Sequence, residues 1–182
     1  LCIISLAVCV LLVVVIGNWL EKREYKLEYK ELIAQHAAAY ELVPYLVSAV
    51  IHCESSNKPG AVSVSGAVGL MQIMPETGAW IAEKLGRPAF AEADLYDPAI
   101  NIQMGCWYLD FLLDTFGGNL VNAIAAYNAG QGAVQKWLQD GSLSQNGQLV
   151  EIPYGQTKDY VKKVQYAYEK YLALYPKAFP AE

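Results

Sequence analysis

The 182-residue sequence lacks the features of several common protein classes. It has no excess of basic residues, since 18 Asp and Glu outnumber 13 Lys and Arg, and this balance argues against nucleic-acid binding. It has no second long apolar run, which excludes a membrane protein with several spans. Disorder is excluded by what is abundant, because the chain carries 13 Tyr, 4 Trp and 4 Phe.

Cysteine is also scarce. Two of the four Cys lie among the first 20 residues, which leaves Cys53 and Cys106, at a spacing that matches no metal motif. We interpret these two as small core residues, and a disulfide between them stays open as the alternative.

The apolar residues are concentrated at the start of the chain. Of the first 20 residues, 17 are apolar and none is charged, so a helix there would be about 30 Å long, the thickness of a bilayer core. No small-x-small site follows, and we therefore predict an uncleaved transmembrane anchor over 1–20, with a cleaved signal peptide as the alternative. Basic residues just after it would by themselves place the domain in the cytoplasm, but the flank before Leu1 is needed to apply this rule.

The remainder is typical of one helical domain. A polar connecting helix is predicted over 21–40, a catalytic domain over 41–176 and a short tail over 177–182. Punctuation by Pro, Gly and N-capping residues predicts helices over these ranges: 44–54, 75–85, 98–116, 120–130 and 157–175. Residues 139–156 are predicted to form a loop, and no segment alternates well enough to predict a strand. The apolar face of the 98–116 helix is predicted from spacing to contain Ile100, Met104, Trp107, Tyr108 and Phe111.

One carboxylate lies where an apolar residue is expected. In the 44–54 helix, Val47, Val50 and Ile51 form a stripe, and Glu54 falls on the same stripe. Burial raises a carboxyl pKa, and a raised pKa suits a general acid near neutral pH. The alternative is a residue that reaches solvent from the end of its helix.

Two clusters downstream favour the functional interpretation. A Gly- and Ser-rich loop contains Ser63 and Ser65 and leads into Gly69-Leu70-Met71-Gln72. Tyr127 and Asn128 are bulky polar residues at the end of a helix otherwise made of small ones. Hydroxyl and amide groups can bind sugar hydroxyl and acetamido groups, and small residues allow close approach of a ligand.

Together these residues resemble a lytic transglycosylase of the glycoside hydrolase family 23 type, with an all-α, goose-lysozyme-like domain. The resemblance covers about residues 40–175. The following segments carry it: Glu54-Ser55-Ser56, Gly69-Leu70-Met71-Gln72 with Met74-Pro75, Asn101-Ile102-x-x-Gly105 before Tyr108-Leu109, Ala126-Tyr127-Asn128, and Ile152-Pro153-Tyr154 followed by Tyr160-Val161. One departure is Asn57, at a position where the family usually has an aromatic residue.

The resemblance implies a role for each matching residue. Glu54 would be the sole catalytic acid/base, and Tyr160 would approach its carboxylate. The glycan would be bound by the remaining matches: Ser63, Ser65, Met71, Gln72, Met74, Tyr127 and Asn128. Neither a metal nor a cofactor is implied.

The implied reaction breaks the β-1,4 bond between N-acetylmuramic acid and N-acetylglucosamine in peptidoglycan. The C6 hydroxyl of the muramyl residue attacks C1 and leaves a 1,6-anhydro end, without water. A hydrolytic muramidase on the same fold and a non-catalytic glycan-binding scaffold remain as alternatives. Because peptidoglycan lies outside the membrane, the resemblance also implies a single-pass protein whose domain lies on the cell-wall side and whose missing flank is basic.

Overall fold

The computed structural model describes residues 2–179, with side chains from residue 12 onward. Its helices are α1 (Cys2–Glu24), α2 (Lys30–Ala39), α3 (Pro44–Ser55), α4 (Pro75–Lys84), α5 (Pro98–Thr115), α6 (Leu120–Ala129), α7 (Gln131–Gln139) and α8 (Gly155–Leu174). A 3-10 turn covers Glu92–Tyr96, and two short strands, β1 (Ser144–Gln145) and β2 (Gln148–Leu149), form a hairpin. The described part of the chain is mostly helical, as predicted, apart from this short hairpin.

The helix boundaries follow local capping chemistry. Asp97 accepts hydrogen bonds from the amides of Ala99 (2.8 Å) and Ile100 (3.1 Å) and so caps α5. Asn119 caps α6 by accepting from the amide of Asn122 at 3.0 Å. Helices α3 and α4 each begin with a proline, which suits the first turn because its missing N–H would have no partner there. Four of the predicted helices therefore begin where the sequence indicates.

Helix α3 lies at the centre of the domain and packs chiefly against α8. Val47, Val50 and Ile51 are almost completely buried, as the stripe predicts. On α8 the buried residues include Val161, Val164 and Tyr171, and this contact places the C-terminal end of α3 beside the first turns of α8.

The loop predicted over 139–156 contains a hairpin that sequence reasoning missed. Its turn is Asn146-Gly147, both residues having positive φ, and Asn-Gly is a strong signal for a tight hairpin turn. Buried Asn122 holds the hairpin, donating to the carbonyl oxygen of Gly147 at 2.8 Å and accepting from the amide of Leu149 at 3.1 Å. Helix α7 is a further element that was not predicted.

The connecting segment differs from the single helix predicted over 21–40. Helix α1 continues to Glu24, and α2 begins only at Lys30. Between them Tyr25 is buried, with its ring 4.6 Å from that of His52 on α3. The hydroxyl of Tyr171 donates to the carbonyl oxygen of Lys26 at 2.9 Å, so aromatic residues of the domain hold the break in place.

Asn57 takes part in the same contact. This residue, which replaces the aromatic residue usual in the resembled family, is buried and lies with its amide 3.5 Å from the carbonyl oxygen of Lys26. The departure is therefore explained by packing against the connecting segment.

The predicted transmembrane segment over 1–20 lies partly outside the described residues, because residue 1 and the side chains of 2–11 are not described. Within the described part of the chain, no helix is long and apolar enough to cross a membrane. The apolar side chains of α1 that are described are more than half exposed: Leu12, Val13, Val14, Val15, Ile16, Trp19 and Leu20.

The buried face of α5 is not the one predicted. Met104 is buried, but Trp107, Tyr108 and Phe111 are only half-buried, whereas Cys106, Leu109 and Leu112 are fully buried. The aromatic side chains therefore form a surface of α5 rather than its core side. Cys53 and Cys106 are both free, as expected for small packing residues, and the disulfide alternative is wrong.

Candidate active site

Glu54 lies in the last turn of α3, at the end of its buried stripe. The side chain is largely removed from solvent, and this burial raises the pKa of Glu54 to about 7, against a usual value of 4.5. A hydrogen bond from Tyr160 acts in the opposite direction and lowers this pKa. The net result is a carboxyl group that can hold a proton near neutral pH.

Tyr160 fixes the orientation of this carboxyl group. Its hydroxyl donates to Oε1 of Glu54 at 2.5 Å from the second turn of α8. Tyr160 is itself buried, and burial followed by the nearby charge of Glu54 raises its pKa well above 10, so the phenol stays a donor. Because Oε1 accepts this bond, Oε2 is the oxygen on which a transferable proton would reside.

The loop between α3 and α4 is tightly folded by its own polar groups. The backbone amide of Ala67 donates to Oγ of Ser63 at 2.9 Å, and two isolated β-bridges join Val68 to Val62 and to Ile73. Gln72 has a φ of +48°, and its side-chain nitrogen donates to the carbonyl oxygens of Ala61 (3.1 Å) and Gly69 (2.9 Å). The amide oxygen of Gln72 makes no hydrogen bond among the described residues.

Asn101 attaches this loop to α5. It is completely buried, donates to the carbonyl oxygens of Val68 (3.0 Å) and Leu95 (2.8 Å), and accepts from the amide of Met71 at 2.7 Å. It lies so close to Gly69 that any side chain at that position would collide with it. Three buried backbone groups thus depend on one amide side chain.

Met71 does not line a cleft, contrary to the role that the resemblance implies. Its side chain is fully buried and packs on Gly105, where even a Cβ atom would come within 2.2 Å of the Met71 sulfur. Its backbone carbonyl does contribute to the site by accepting from the Tyr127 hydroxyl at 2.8 Å. The Met71 side chain therefore fills space against Gly105 in the core and does not face the surface.

Tyr127 lines a groove that contains several of the predicted site residues. A groove of about 240 Å³ is lined by Gln72, Ile73, Met74, Thr77, Tyr108, Tyr127, Asn128, Ala129 and Gly130. Burial and then the nearby charge of Glu54 raise the pKa of Tyr127, so this phenol stays a hydrogen-bond donor. Four sequence-predicted residues therefore share one groove: Gln72, Met74, Tyr127 and Asn128.

Ser63 and Ser65 are not among the residues that line this groove. Ser65 is exposed near the tip of the loop, and Ser63 is half-buried with its hydroxyl oxygen accepting from the loop backbone. Any contact of these two hydroxyls with a ligand remains a prediction.

Three residues that position the site were not assigned a role from the sequence. Thr157 donates to Oδ1 of Asn128 at 2.8 Å and orients that amide from the start of α8. Asn101, although part of a matching segment, carried no role, and Thr77 lines the groove beside Met74. The contacts of Thr157 and Asn101 join residues about 30 positions apart in sequence, so no local signal marked either of them.

Among the residues that the structure describes, no group of three or more His, Cys, Asp or Glu side chains could hold a metal ion. Glu83 is exposed on α4, and Asp97 is occupied as the cap of α5. The acid chemistry at this site is therefore centred on Glu54.

Comparison with known proteins agrees with this geometry. The chain is 36% identical over 155 residues to the soluble lytic murein transglycosylase of Escherichia coli, covering 84% of this chain and 24% of that protein. It is 32% identical over 174 residues to the membrane-bound lytic murein transglycosylase C of Actinobacillus pleuropneumoniae, covering 80% of this chain and 46% of that one. The chain thus spans about a quarter to a half of the length of these relatives.

Solved structures of lytic transglycosylases are also similar to this chain. The 70 kDa soluble lytic transglycosylase of Escherichia coli superimposes with a TM-score of 0.78 at 30% identity, covering 88% of this chain and 27% of that one. An inactive mutant of lytic transglycosylase Slt from Pseudomonas aeruginosa, with glutamate replaced by glutamine, superimposes with a TM-score of 0.73 at 31% identity, covering 86% and 25%. Residues 31–147 match the family model described as the transglycosylase SLT domain. The chain therefore belongs to the transglycosylase SLT domain family.

Proposed function

We propose that this protein is a peptidoglycan lytic transglycosylase that cleaves the β-1,4 bond between N-acetylmuramic acid and N-acetylglucosamine. The observation that carries the proposal is the largely buried carboxyl group of Glu54, with a pKa of about 7 and a tyrosine hydroxyl bonded to one of its oxygens. Family membership and the relatives named as lytic murein transglycosylases support it.

In the proposed reaction Glu54 acts first as an acid. Its Oε2 donates a proton to the glycosidic oxygen while Tyr160 holds Oε1, and the bond between C1 and that oxygen breaks. The acetamido oxygen of the muramyl residue stabilises the cationic centre at C1. Because the carboxyl pKa lies near 7, both protonation states are accessible near neutral pH, as an acid that later acts as a base requires.

Glu54 then acts as a base. It accepts the proton of the C6 hydroxyl of the same sugar, whose oxygen attacks C1 and closes the 1,6-anhydro ring. The proton lost in the first step is thus recovered, and no water is consumed. Most glycosidases use two carboxyl groups, whereas here one suffices because the substrate supplies its own nucleophile, held in place by the site.

The glycan is proposed to lie in the groove beside the acid. Gln72, Met74, Tyr127 and Asn128 would contact the sugar next to the cleaved bond, and the unpaired amide oxygen of Gln72 can accept from a sugar hydroxyl or amide. Ser63 and Ser65 would contact it from the loop. The catalytic domain is proposed to cover 41–176 and to be of the glycoside hydrolase family 23 type.

Product analysis tests the proposal. Purified peptidoglycan is digested with the full chain and the released muropeptides are weighed by mass spectrometry, since an anhydro end is one water lighter than a hydrolysed end. We expect anhydro ends from the parent and from Glu83→Gln, an exposed control, and none from Glu54→Gln. Hydrated ends alone would indicate a muramidase, and equal release by parent and Glu54→Gln would remove Glu54 from catalysis.

Residues 1–20 are proposed to anchor the protein in the membrane with the domain on the cell-wall side. The exposed apolar side chains between Leu12 and Leu20 support this, as does the similarity to a relative named membrane-bound. Protease treatment of intact protoplasts tests it: loss of the domain without lysis is expected, and protection until lysis would contradict the proposed orientation.

A further inference from the structure

The connecting segment contacts the same turn of α3 that carries the proposed acid. Residues 25–29, which we call the elbow, form the non-helical break between α1 and α2. Tyr25 of the elbow is buried, and its ring lies 4.6 Å from that of His52 in the last turn of α3. His52 precedes Glu54 by two residues, so their side chains point about 160° apart around the helix axis. Tyr25 therefore packs behind the turn whose opposite face carries the acid.

Aromatic rings of α8 hold Tyr25 in this place. Its ring is edge-on to Tyr171 at 6.0 Å and to Tyr166 at 6.4 Å. His52 in turn lies 6.2 Å from Tyr171, with planes 77° apart. Rings in such edge-to-face arrangements attract one another beyond the contribution of their burial. The elbow thus supplies one ring to a cluster whose other members belong to α3 and α8.

The backbone of the elbow is attached to α8 as well. The carbonyl oxygen of Lys26 accepts a hydrogen bond from the Tyr171 hydroxyl at 2.9 Å. The carbonyl oxygen of Tyr25 accepts one from the Tyr175 hydroxyl at 3.0 Å. Because both bonds are made by backbone groups, the path of the elbow is fixed along with its side chain.

The turn that follows the acid depends on the same elbow. Ser56 and Asn57 have φ values of +51° and +64°, in the left-handed region. Residues other than glycine keep this conformation only where the surrounding structure holds them in it. Asn57 is buried, and its amide nitrogen lies 3.5 Å from the carbonyl oxygen of Lys26. The elbow therefore contacts the chain both before and after Glu54.

We propose that the elbow positions the catalytic acid, with Tyr25 as the main positioning residue, so that the catalytic unit extends beyond 41–176 to include the connecting segment. The inference rests on the proposed function, because it concerns the placement of Glu54 during cleavage. Tyr160 bonds one oxygen of the carboxyl group, and the elbow supports the helix turn from the opposite side. Loss of this support should slow proton transfer to the glycosidic oxygen, because catalysis depends on the placement of the reacting groups. It should change glycan binding little, since no elbow residue lines the groove beside the acid.

Steady-state cleavage of soluble glycan fragments by the full chain tests the proposal. We expect Tyr25→Ala to lower kcat about tenfold and to leave KM unchanged. Tyr25→Phe should restore kcat to within about twofold of the parent value, because it keeps the ring contacts. The matched control is Glu28→Ala, which removes an exposed side chain from the same elbow and should change neither constant.

Hydrogen exchange of the full chain, measured by mass spectrometry, gives a result that does not depend on activity. Tyr25→Ala should increase the exchange rate of backbone amides in residues 52–57 about tenfold and leave helix α6 unchanged, because only the end of α3 loses its support. Faster exchange throughout the domain would show a general loss of stability and would overturn the positioning role.

A second variant keeps the proposal testable if Tyr25→Ala does not fold. Tyr171→Phe retains the ring in the cluster and removes its bond to the Lys26 carbonyl oxygen, so it should lower kcat about two- to threefold at constant KM. An unchanged kcat in this variant would contradict the proposal, as would an unchanged kcat in folded Tyr25→Ala or a failure of Tyr25→Phe to restore it. These results leave the proposed function intact as long as the parent produces anhydro ends, whereas the absence of anhydro ends from the parent would overturn the function itself.

Discussion

The surroundings of Glu54 differ from a nearby groove in the forces that hold them together. That groove is lined by Glu76, Thr77, Trp80, Tyr108 and Gln131. Around Glu54, buried polar groups are paired by hydrogen bonds: Tyr160 with the carboxylate, Tyr127 with the carbonyl oxygen of Met71, and Asn101 with three backbone groups. Around Trp80, rings pack on rings and the polar groups face solvent. The first arrangement fixes a carboxyl group that is largely removed from water, whereas the second leaves an accessible surface of fixed shape.

The largest expected effect comes from removing the side chain of Asn101, one of the hydrogen-bonded buried groups. Asn101→Ala would leave three buried backbone groups without partners, and each such loss costs about 1–3 kcal/mol, so we expect a loss of about 3–5 kcal/mol in the free energy of unfolding. Urea unfolding of the full chain measures this. The matched control is Asn119→Ala, which removes one capping bond and should cost about 1 kcal/mol; equal losses would contradict the role given to Asn101.

The next effect concerns the free energy of unfolding, which the buried carboxyl group of Glu54 lowers at high pH. Because the pKa of Glu54 is raised to about 7 in the folded protein, the folded state binds its proton more tightly than the unfolded state does. Stability therefore falls as pH rises from about 4.5 to 7, and the loss is complete above 7.

Glu54→Gln removes this dependence. We expect it to increase the free energy of unfolding by about 3 kcal/mol at pH 8 and to change it little at pH 4. Urea unfolding at both pH values measures the effect, with Glu83→Gln, an exposed carboxylate on α4, as the control that should be neutral at both. A gain of the same size at pH 4 would show that burial of the charge is not its cause.

A smaller effect is expected at Tyr160. Cleavage by the parent should fall about tenfold per pH unit above pH 7, as Glu54 loses its proton. Tyr160→Phe removes the donor that lowers the pKa of Glu54, so the decrease of the cleavage rate should begin at higher pH in this variant. Below that pH, where the rate no longer changes with pH, we expect it to be about tenfold lower than that of the parent.

The pH profile of turnover for soluble glycan fragments measures both changes. Tyr127→Phe is the comparison variant: its hydroxyl bonds the Met71 carbonyl and not the acid, so its rate should begin to decrease near the same pH as that of the parent. If the decrease in Tyr160→Phe also begins at the pH of the parent, Tyr160 does not set the pKa of the acid.

The smallest effect is expected in the groove lined by Trp80, Tyr108 and Gln131. Gln131→Ala should raise KM about two- to threefold for long glycan fragments and leave kcat unchanged, because this side chain is exposed and lies away from the acid. Steady-state kinetics on long and short fragments measure it. A decrease in kcat would mean that the two regions are not separable into chemistry and binding.

Local patterns predicted much of the helical framework. Asp97, Asn119 and the prolines at 44 and 75 act within one helical turn, so their effect can be read without knowing the fold. The predicted helices at 44–54, 75–85, 98–116 and 157–175 all agree with the structure to within about two residues at each end. The hairpin was missed although Asn146-Gly147 signalled it, because its two-residue strands are too short to show alternation.

Some site residues could likewise be predicted from the local sequence, and others could not. Glu54 could be predicted because a carboxylate on an apolar stripe is visible in the sequence pattern alone. Its raised pKa follows from the burial of that stripe. The role of Met71 was wrong, since a motif does not say which side of the chain faces solvent. Thr157 could not be found, because its partner Asn128 is 29 residues away.

The sequence by itself determined the helices, their caps and the presence of one carboxyl group on a buried face, because these depend on neighbours three or four residues apart. The tertiary structure alone decided that Tyr160 meets Glu54 across 106 residues and that α5 directs its rings to the surface beneath Trp80. The physical reason is that burial and hydrogen-bond partners depend on which helices pack together, and residues distant in sequence supply the contacts that shift a pKa or fix a ring.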